Sequence, residues 1–404
     1  VIPEATVAAV KDRTDIVALI SETVKLVRRG RSYVGLCPFH KEKTPSFHVN
    51  PERGFFHCFA CNSGGDAVNF LINQDGYTFV EAVKYLAERA NIQIEESSQD
   101  RTQAATQRRD RDDLYAVNNA AALFYERCLY WGHDLCLYAQ EELEKRELWP
   151  DPATPDPLGP VIKSFRLGYA PAGWDALATY FREQSISPGA AEKAGLLVPR
   201  PSGPGYYDRF RHRLMFPVLD VMGRVVAFSG RALAELTAAE MASLKLQPPK
   251  QPPAKYINSP ESPIYTKGEH VFGLFQAKQA IREAGSVTLV EGNFDVVSLH
   301  AQGLKNVVAP LGTAFTVQQA KLLKRFTHDV TVLFDGDAAG RKATTAAWGP
   351  CKEAGLDAKV ASLPAGTDPD AYVREGGKRA LEGVLGKARG MLETALDALL
   401  DHGE

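Results

Sequence analysis

"TVLFDGDAAG", residues 331–340, places two acids, Asp335 and Asp337, on a Gly-containing turn directly after an apolar strand. Alone, that is an ordinary Asp-Gly turn behind a buried strand. Two like charges one residue apart repel, so a special role requires something that neutralises them. The surroundings decide. From residue 285 short apolar runs recur, "SVTLVEG", "NVVAPLG", "VTVLFDGD" and "AKVASLP", each ending in Gly, Pro or an acid. Helical segments separate them: "FDVVSLHAQGL", "TVQQAKLLKRF" and "AAGRKATTAAWGPCKEAG". This alternation predicts a small parallel α/β sheet, whose ligand sites form at the carboxyl ends of its strands. One strand ends at Glu291, one at Asp335 and Asp337, and one leads to Asp368 and Asp370. If the strands are neighbours, five carboxylates converge. Mg²⁺ or Mn²⁺ removes the cost of such a cluster, since both prefer oxygen ligands and keep phosphates in their shell. Two such ions about 4 Å apart support phosphoryl transfer. Asp295, four residues after Glu291, reads as a cap or a group facing its own helix and is left out of the set. Gly336 and Gly340 suit a sharp turn with backbone close to a ligand.

Basic residues precede this cluster. In "YYDRFRHRLMFPV", Arg209, Arg211 and Arg213 alternate, and a strand would place them on one face. Arg231, Lys255 and Lys267 follow in short Gly-, Pro- and Ser-rich settings. Any one of them is by default a solvated surface charge. Their run ahead of a metal-binding edge favours contact with a triphosphate or a nucleic-acid template.

The N-terminal part carries a second signal. Cys37-Pro-Phe-His40 and Cys58-Phe-Ala-Cys61 are two short knuckles separated by seventeen residues. Four such ligands complete a tetrahedral Zn²⁺ site with no open position, so the zinc is expected to be structural. His57 is read as a solvent-facing strand residue, not a ligand. Basic residues between 25 and 53 interleave with Tyr33, Phe39, Phe47, Phe55, Phe56 and Phe59. Most of these aromatics are assigned to the ribbon's own core. Lys43, His48 and Arg53 are the candidates for contact with single-stranded nucleic acid.

The bulk numbers set the frame. At 404 residues the chain is expected to hold two or three domains. A net charge of −2 gives no gross attraction to nucleic acid, so any binding rests on local patches. No apolar run reaches the length of about 18 residues that a membrane span needs, and the N-terminus lacks a signal-peptide layout. Three of the six cysteines crowd into residues 37–61, while Cys128, Cys136 and Cys351 are scattered. That distribution points to a reducing cytosol and a local metal site. Residues 3–29 have helical spacing, residues 95–113 have the composition of a linker with some helix at its end, and no P-loop motif occurs.

At this point the residues resemble bacterial DnaG-type primases. "CPFH…CFAC" is similar to that family's zinc-binding domain. "DRFRHRLMFPV", "GRVVAFSGR", "KYINSPES", "KGEHVFGL", "VEGNFDV", "LGTA", "DGDAAG" and "LPAGTDPD" resemble, in order, the motifs of its RNA polymerase domain. The last part resembles the TOPRIM fold shared with topoisomerases. The resemblance implies an α+β multidomain chain: a zinc ribbon (1–98), a linker (99–113), a mixed α/β basic subdomain (114–284), a TOPRIM-type parallel α/β subdomain (285–375) and a helical tail (376–404).

It also implies cytoplasmic RNA-primer synthesis on single-stranded DNA, giving an RNA–DNA hybrid, by a monomer with no membrane association. Glu291, Asp335, Asp337, Asp368 and Asp370 would hold catalytic Mg²⁺ or Mn²⁺, with Glu291, Asp335 and Asp337 as the catalytic core. Arg209, Arg211, Arg231, Lys255 and Lys267 would bind template or NTP. Family members usually continue into a domain that meets the replicative helicase. Two departures stand out: "EGNFDV" in place of the commoner "EGYMDV", and residues 235–253, which read as an insertion before "KYINS". The rivals are a TOPRIM nuclease or topoisomerase, and a zinc-ribbon module that binds single-stranded DNA without chemistry.

Overall fold

The computed structural model describes residues 2–94, 101–130, 135–149, 159–248, 251–312, 314–391 and 393–394. They fall into two compact units, 1–108 and 109–404.

The first unit opens with two short helices, Glu4–Arg13 and Ile16–Ser21, not the single helical run suggested by residues 3–29. Asp15 interrupts the run because its carboxylate accepts from Val17 N (2.9 Å) and Ala18 N (3.0 Å), capping the second helix. Val24 ends the helical spacing, and Val27–Arg29 becomes β1. It pairs antiparallel with β2 (Ser32–Gly35) across a tight turn that holds Gly30 at φ 61°. β3 (Phe47–Asn50), β4 (Phe55–Cys58) and β5 (Gly64–Gly65) extend the antiparallel sheet in sequence order. Period-two alternation puts Phe47, Val49, Phe56 and Cys58 on the core face, where they are fully buried. His48 and His57 sit opposite one another on the other face. The buried rings pack on Phe70 of the helix Ala67–Asp75.

A 30-residue helix, Arg101–Tyr130, occupies most of the segment expected to be a linker, and the division between units falls after 108, not near 98. Low apolar content limits burial, not helicity. The stretch has no Gly or Pro and is rich in Ala, Gln and Arg, all good helix formers. Residues 95–100 lie outside the described part.

In the second unit, that helix buries Leu114, Val117, Ala121, Ala122 and Tyr125 at helical spacing against Met215 and Phe228. The chain then forms β6 (Gly168–Ala170), a β7–β8 hairpin (Leu197–Pro199 and Tyr206–Asp208), β9 (Arg213–Leu219), β10 (Val225–Ala232) and β11 (Tyr256–Asn258). β11, β10, β9 and β6 form one antiparallel sheet in that order. Arg209, Arg211 and Arg213 do not share a strand face as expected. β8 ends at Asp208, β9 starts at Arg213, and His212 between them has φ 49°.

The second sheet contains β12 (Val271–Phe272), β13 (Ser286–Leu289), β14 (Val307–Pro310), β15 (Asp329–Val332), β16 (Asp357–Val360) and β17 (Arg389–Gly390). Its order is β12-β14-β13-β15-β16-β17; the four central strands are parallel, and both edges are antiparallel. From β13 the chain crosses to one side to make β14, then returns past β13 to make β15. The gap between the carboxyl ends of β13 and β15 is therefore the topological switch point, where open α/β sheets hold ligands. The tail is not uniformly helical: after the helix Pro369–Leu385 the chain returns as edge strand β17, and residues 395–404 lie outside the described part. No helix among the described residues is long and apolar enough to cross a membrane.

Candidate functional site

The first centre lies in the ribbon. Cys37 and His40 sit on the β2–β3 connection, Cys58 ends β4, and Cys61 follows on the next turn. One ligand atom from each lies within 4.8 Å of all the others. Cys37 Sγ and Cys61 Sγ are 3.8 Å apart, and Cys58 Sγ is 4.0 Å from His40 Nδ1. A tetrahedron with bonds of ~2.3 Å has edges of about 3.8 Å, so this spacing fits Zn²⁺. Glu42 orders the site: its carboxylate lies 3.2 Å from His40 Nε2, leaving Nδ1 for the metal, and accepts from Cys37 N (2.7 Å) and Ser46 N (3.1 Å). Sequence reasoning missed Glu42, because nothing in the knuckle spacing announces an outer partner. Burial, then the neighbouring sulfurs, push the Cys37 thiol up to about 12, the strain of crowded donors that a cation relieves. His57 stands outside this group, with its ring against Phe59 at 4.8 Å. Phe39, Phe47 and Phe56 do pack together, but Phe59 is 68% exposed and Phe55 is also exposed.

The second centre is at the switch point. Leu289 and Val332 are paired, so Glu291 and Asp335 leave neighbouring strand ends together. The Asp335 N–H donates to Glu291 Oε1 at 3.2 Å. The two glycines let backbone approach backbone at this turn. A Cβ on Gly336 would meet Pro364 O at 2.3 Å, and one on Gly340 would meet Asp335 O at 2.1 Å. Gly336 N also donates to Thr367 O at 3.1 Å, which draws the loop bearing Asp368 against the Asp335 turn.

The acids differ in their partners. Asp337 accepts from Gly340 N (2.8 Å) and Asp368 from Ala371 N (2.6 Å), each capping a helix. Asp335 Oδ1 is buried without a hydrogen-bond partner. Burial, then Glu291, Asp368 and Asp337, push the Asp335 carboxyl up to about 6; burial and Asp337 raise Glu291. A buried, orphaned carboxylate oxygen among other acids is the donor set of a hard divalent cation. The cluster is looser than the zinc site: among the described residues only the Cys/His group gathers ligand atoms within 4.8 Å.

Two further acids have partners of their own. Asp370, expected among the metal ligands, is buried and ion-paired with Arg374 (3.1 Å) and Arg146 (3.3 Å). Its place on the first helical turn sets Arg374 at i+4, and Arg146 comes from a distant part of the chain. Asp295 does cap its helix, accepting from Gly292 N at 3.0 Å, as expected. It also feels Asp335 and Asp368, and burial followed by these charges pushes its carboxyl up to about 8.

The basic residues sort into three groups. Arg231 is fully engaged, donating to Glu142 (3.0 and 2.9 Å) and Tyr256 Oη (3.2 Å). Arg146 also pairs with Glu142 (2.9 Å), and both guanidiniums lie over the Phe294 ring, at 4.1 and 4.9 Å. Phe294 is one of the two residues, with Asn293, by which "EGNFDV" departs from "EGYMDV". Glu142 and Arg146 were missed, since "EELEKREL" reads as a plain helix. Lys255 stays near the acids, its ammonium opposing the rise at Asp335, while Lys267 Nζ and Asn258 Nδ2 crowd Gly312, which holds φ 65°. Arg211 stacks on Trp174 at 4.5 Å and Tyr207 at 5.3 Å. Arg209 is half-buried with its Nε unpartnered.

Comparison with known proteins agrees with this layout. The CHC2 zinc finger family matches residues 2–102, the N-terminal domain of the DNA primase catalytic core 159–278, and the Toprim-like family 288–373. A DNA primase of Halalkalibacterium halodurans is 38% identical over 388 residues, 96% of this chain and 60% of its own. The chain spans little more than half the length of the curated relatives it matches. The DnaG primase catalytic domain solved with single-stranded DNA is 33% identical, with a TM-score of 0.59 over 73% of this chain and 85% of that one. The Aquifex aeolicus primase structure, comprising zinc-binding and RNA polymerase domains, is 35% identical, with a TM-score of 0.61 over 98% of this chain and 88% of that one. Zinc ribbon, acid-edged parallel sheet and a match over nearly all of this chain together make it a member of the DnaG-type DNA primase family.

Proposed function

We propose that the chain synthesises short RNA primers on single-stranded DNA by nucleotidyl transfer at the β13–β15 switch point. The observation that carries this is the buried, unpartnered Asp335 Oδ1 beside Glu291. Glu291, Asp335, Asp337 and Asp368 are the residues that would hold Mg²⁺ or Mn²⁺; Asp370 is kept by its arginines. A divalent cation bound there supplies positive charge for the triphosphate and for the departing pyrophosphate. Lys255, Lys267 and Asn258 bind the NTP phosphates and orient its α-phosphorus toward the primer 3′-oxygen. A bond forms between that oxygen and the α-phosphorus, the 3′-hydroxyl proton passes to solvent, and the bond from the α-phosphorus to the α–β bridging oxygen breaks, releasing pyrophosphate. Arg231 acts through position, fixing Tyr256 beside Asn258. Trp174 with Arg211, and Arg209, form a stacking and charge platform for the template strand. On the ribbon, exposed Phe59 flanked by His48 and His57, with Lys43 and Arg53, is the surface for selecting the start site.

The test is incubation with single-stranded DNA, labelled NTPs and Mg²⁺. Growing 5′-triphosphate oligoribonucleotides support the proposal. Shortened DNA would mean a nuclease, and binding with no product would mean a ribbon module without chemistry.

A further inference from the structure

Residues 235–253 stand out in the sequence as an insertion, and the polymerase reading leaves them unused. Their described part is folded against the second unit. Thr237 and Glu240 form a capping box at the helix Ala238–Ser243. Tyr138 Oη donates to Glu240 Oε2 at 2.8 Å, and His212 Nε2 lies 2.8 Å from Ala234 O. Leu236, Leu244 and Leu246 pack on the main core. Lys245 then turns the chain at φ 54°, with its N–H on Ala242 O at 3.1 Å.

The helix's far end reaches a cleft of about 810 Å³. Ser243, Leu244 and Lys245 line it on the insertion's side; Trp174, Tyr207 and Arg200 line it from elsewhere in the unit. Trp174 is 45% exposed, and Arg211 covers one part of the aromatic pair. The cleft thus has an aromatic floor and cations from two independent segments, with Asp175 as the only acid among its described lining residues. Aromatic faces flanked by cations are what an unpaired nucleic-acid strand needs: bases stack, and phosphates meet ammonium or guanidinium groups.

We propose that the 235–248 segment is the second wall of a single-strand groove, with Lys245 meeting a backbone phosphate opposite the Trp174–Arg211 platform. This rests on the primase reading and adds to it a strand contact made by the insertion. Anchoring through Tyr138 and His212 holds the wall at a fixed distance from the indole.

The test uses the full chain, fluorescence anisotropy, a labelled single-stranded oligodeoxynucleotide of about 16 residues, and a series of salt concentrations. Lys245→Glu is expected to weaken binding about fivefold at low salt and to reduce the slope of log affinity against log salt by about 0.7, one phosphate contact. Glu240→Ala, which frees the helix from Tyr138, is expected to shift affinity the same way, leaving NTP affinity unchanged. Unchanged affinity and slope in Lys245→Glu would overturn the wall. Trp174→Ala tells which reading has then failed. If it weakens binding, the platform stands and the insertion is a bystander. If it too is without effect while the unmutated chain makes primers, the strand runs elsewhere.

Discussion

The zinc ribbon and the acid edge both gather candidate metal ligands, yet they are built in opposite ways. In the ribbon, two tight knuckles gather all four donors within 4.8 Å, and Glu42 fixes the histidine from the same short loop. Local chain geometry suffices. At the acid edge the donors come from three strand ends up to some 80 residues apart, and no such convergence occurs. There the sheet order brings carboxylates near each other, and helix caps and arginines decide which stay available. A structural ion belongs to the first kind of site, where every ligand is spoken for. An ion that must also hold a substrate belongs to the second, where the ligand shell is left open.

The largest effect should come from breaking the ribbon. Cys58→Ala, or removal of zinc by a chelator, should cost about 10 kcal/mol of folding free energy, enough to unfold residues 1–108. Hydrogen exchange should show fast amides in β3 and β4 with protection in the second unit intact; persistent protection in β3 and β4 would end the contrast between the two sites. Next is Asp335→Asn. Primer synthesis should fall about a thousandfold, equivalent to ~4 kcal/mol of barrier. The metal-free protein should melt higher than wild type, because a repelled carboxylate is gone, and Mg²⁺ should no longer shift its melting temperature.

Asp370→Asn sharpens the boundary of the metal set. It leaves Arg374 without its carboxylate and Arg146 with Glu142 alone, and should destabilise the second unit by about 3 kcal/mol. The Mg²⁺ concentration for half-maximal synthesis should not move. A shift as large as that of Asp335→Asn would return Asp370 to the metal ligands.

The smallest effect concerns a buried acid outside both centres. Asp208 accepts from Leu177 N (2.7 Å) and Ala178 N (3.0 Å), and its own N–H donates to Trp174 O (2.7 Å). Burial outweighs those donors and pushes its carboxyl up to about 7. Between about pH 4 and pH 7 the folded chain then keeps a proton that the unfolded chain has shed. The stability this group contributes is present at low pH and lost as pH rises through about 7. Relative to Asp208→Asn, wild type should lose about 2 kcal/mol from pH 5 to pH 8 in denaturant titrations.

Much of this was legible in the chain alone. Strand–helix alternation from 285 and acids at the strand ends predicted the parallel sheet and its edge. The errors cluster where a residue's partner is remote. Arg231 reads as a free cation in "FSGRAL", but Glu142, 89 residues away, accepts its Nε. Residues 95–113 read as a linker with helix only at its end because composition reports burial and says little about helicity.

The amino-acid order by itself determined the zinc ligands, the strand ends that carry acids and the turns that expose them. All of these depend on spacings of a few residues, where chain geometry leaves few options. Only the tertiary structure decided that Asp335 stays unpartnered while Asp370 is neutralised, and that the insertion folds toward Trp174. Those outcomes depend on which distant groups share a desolvated space, and there a missing or present guanidinium outweighs any local preference.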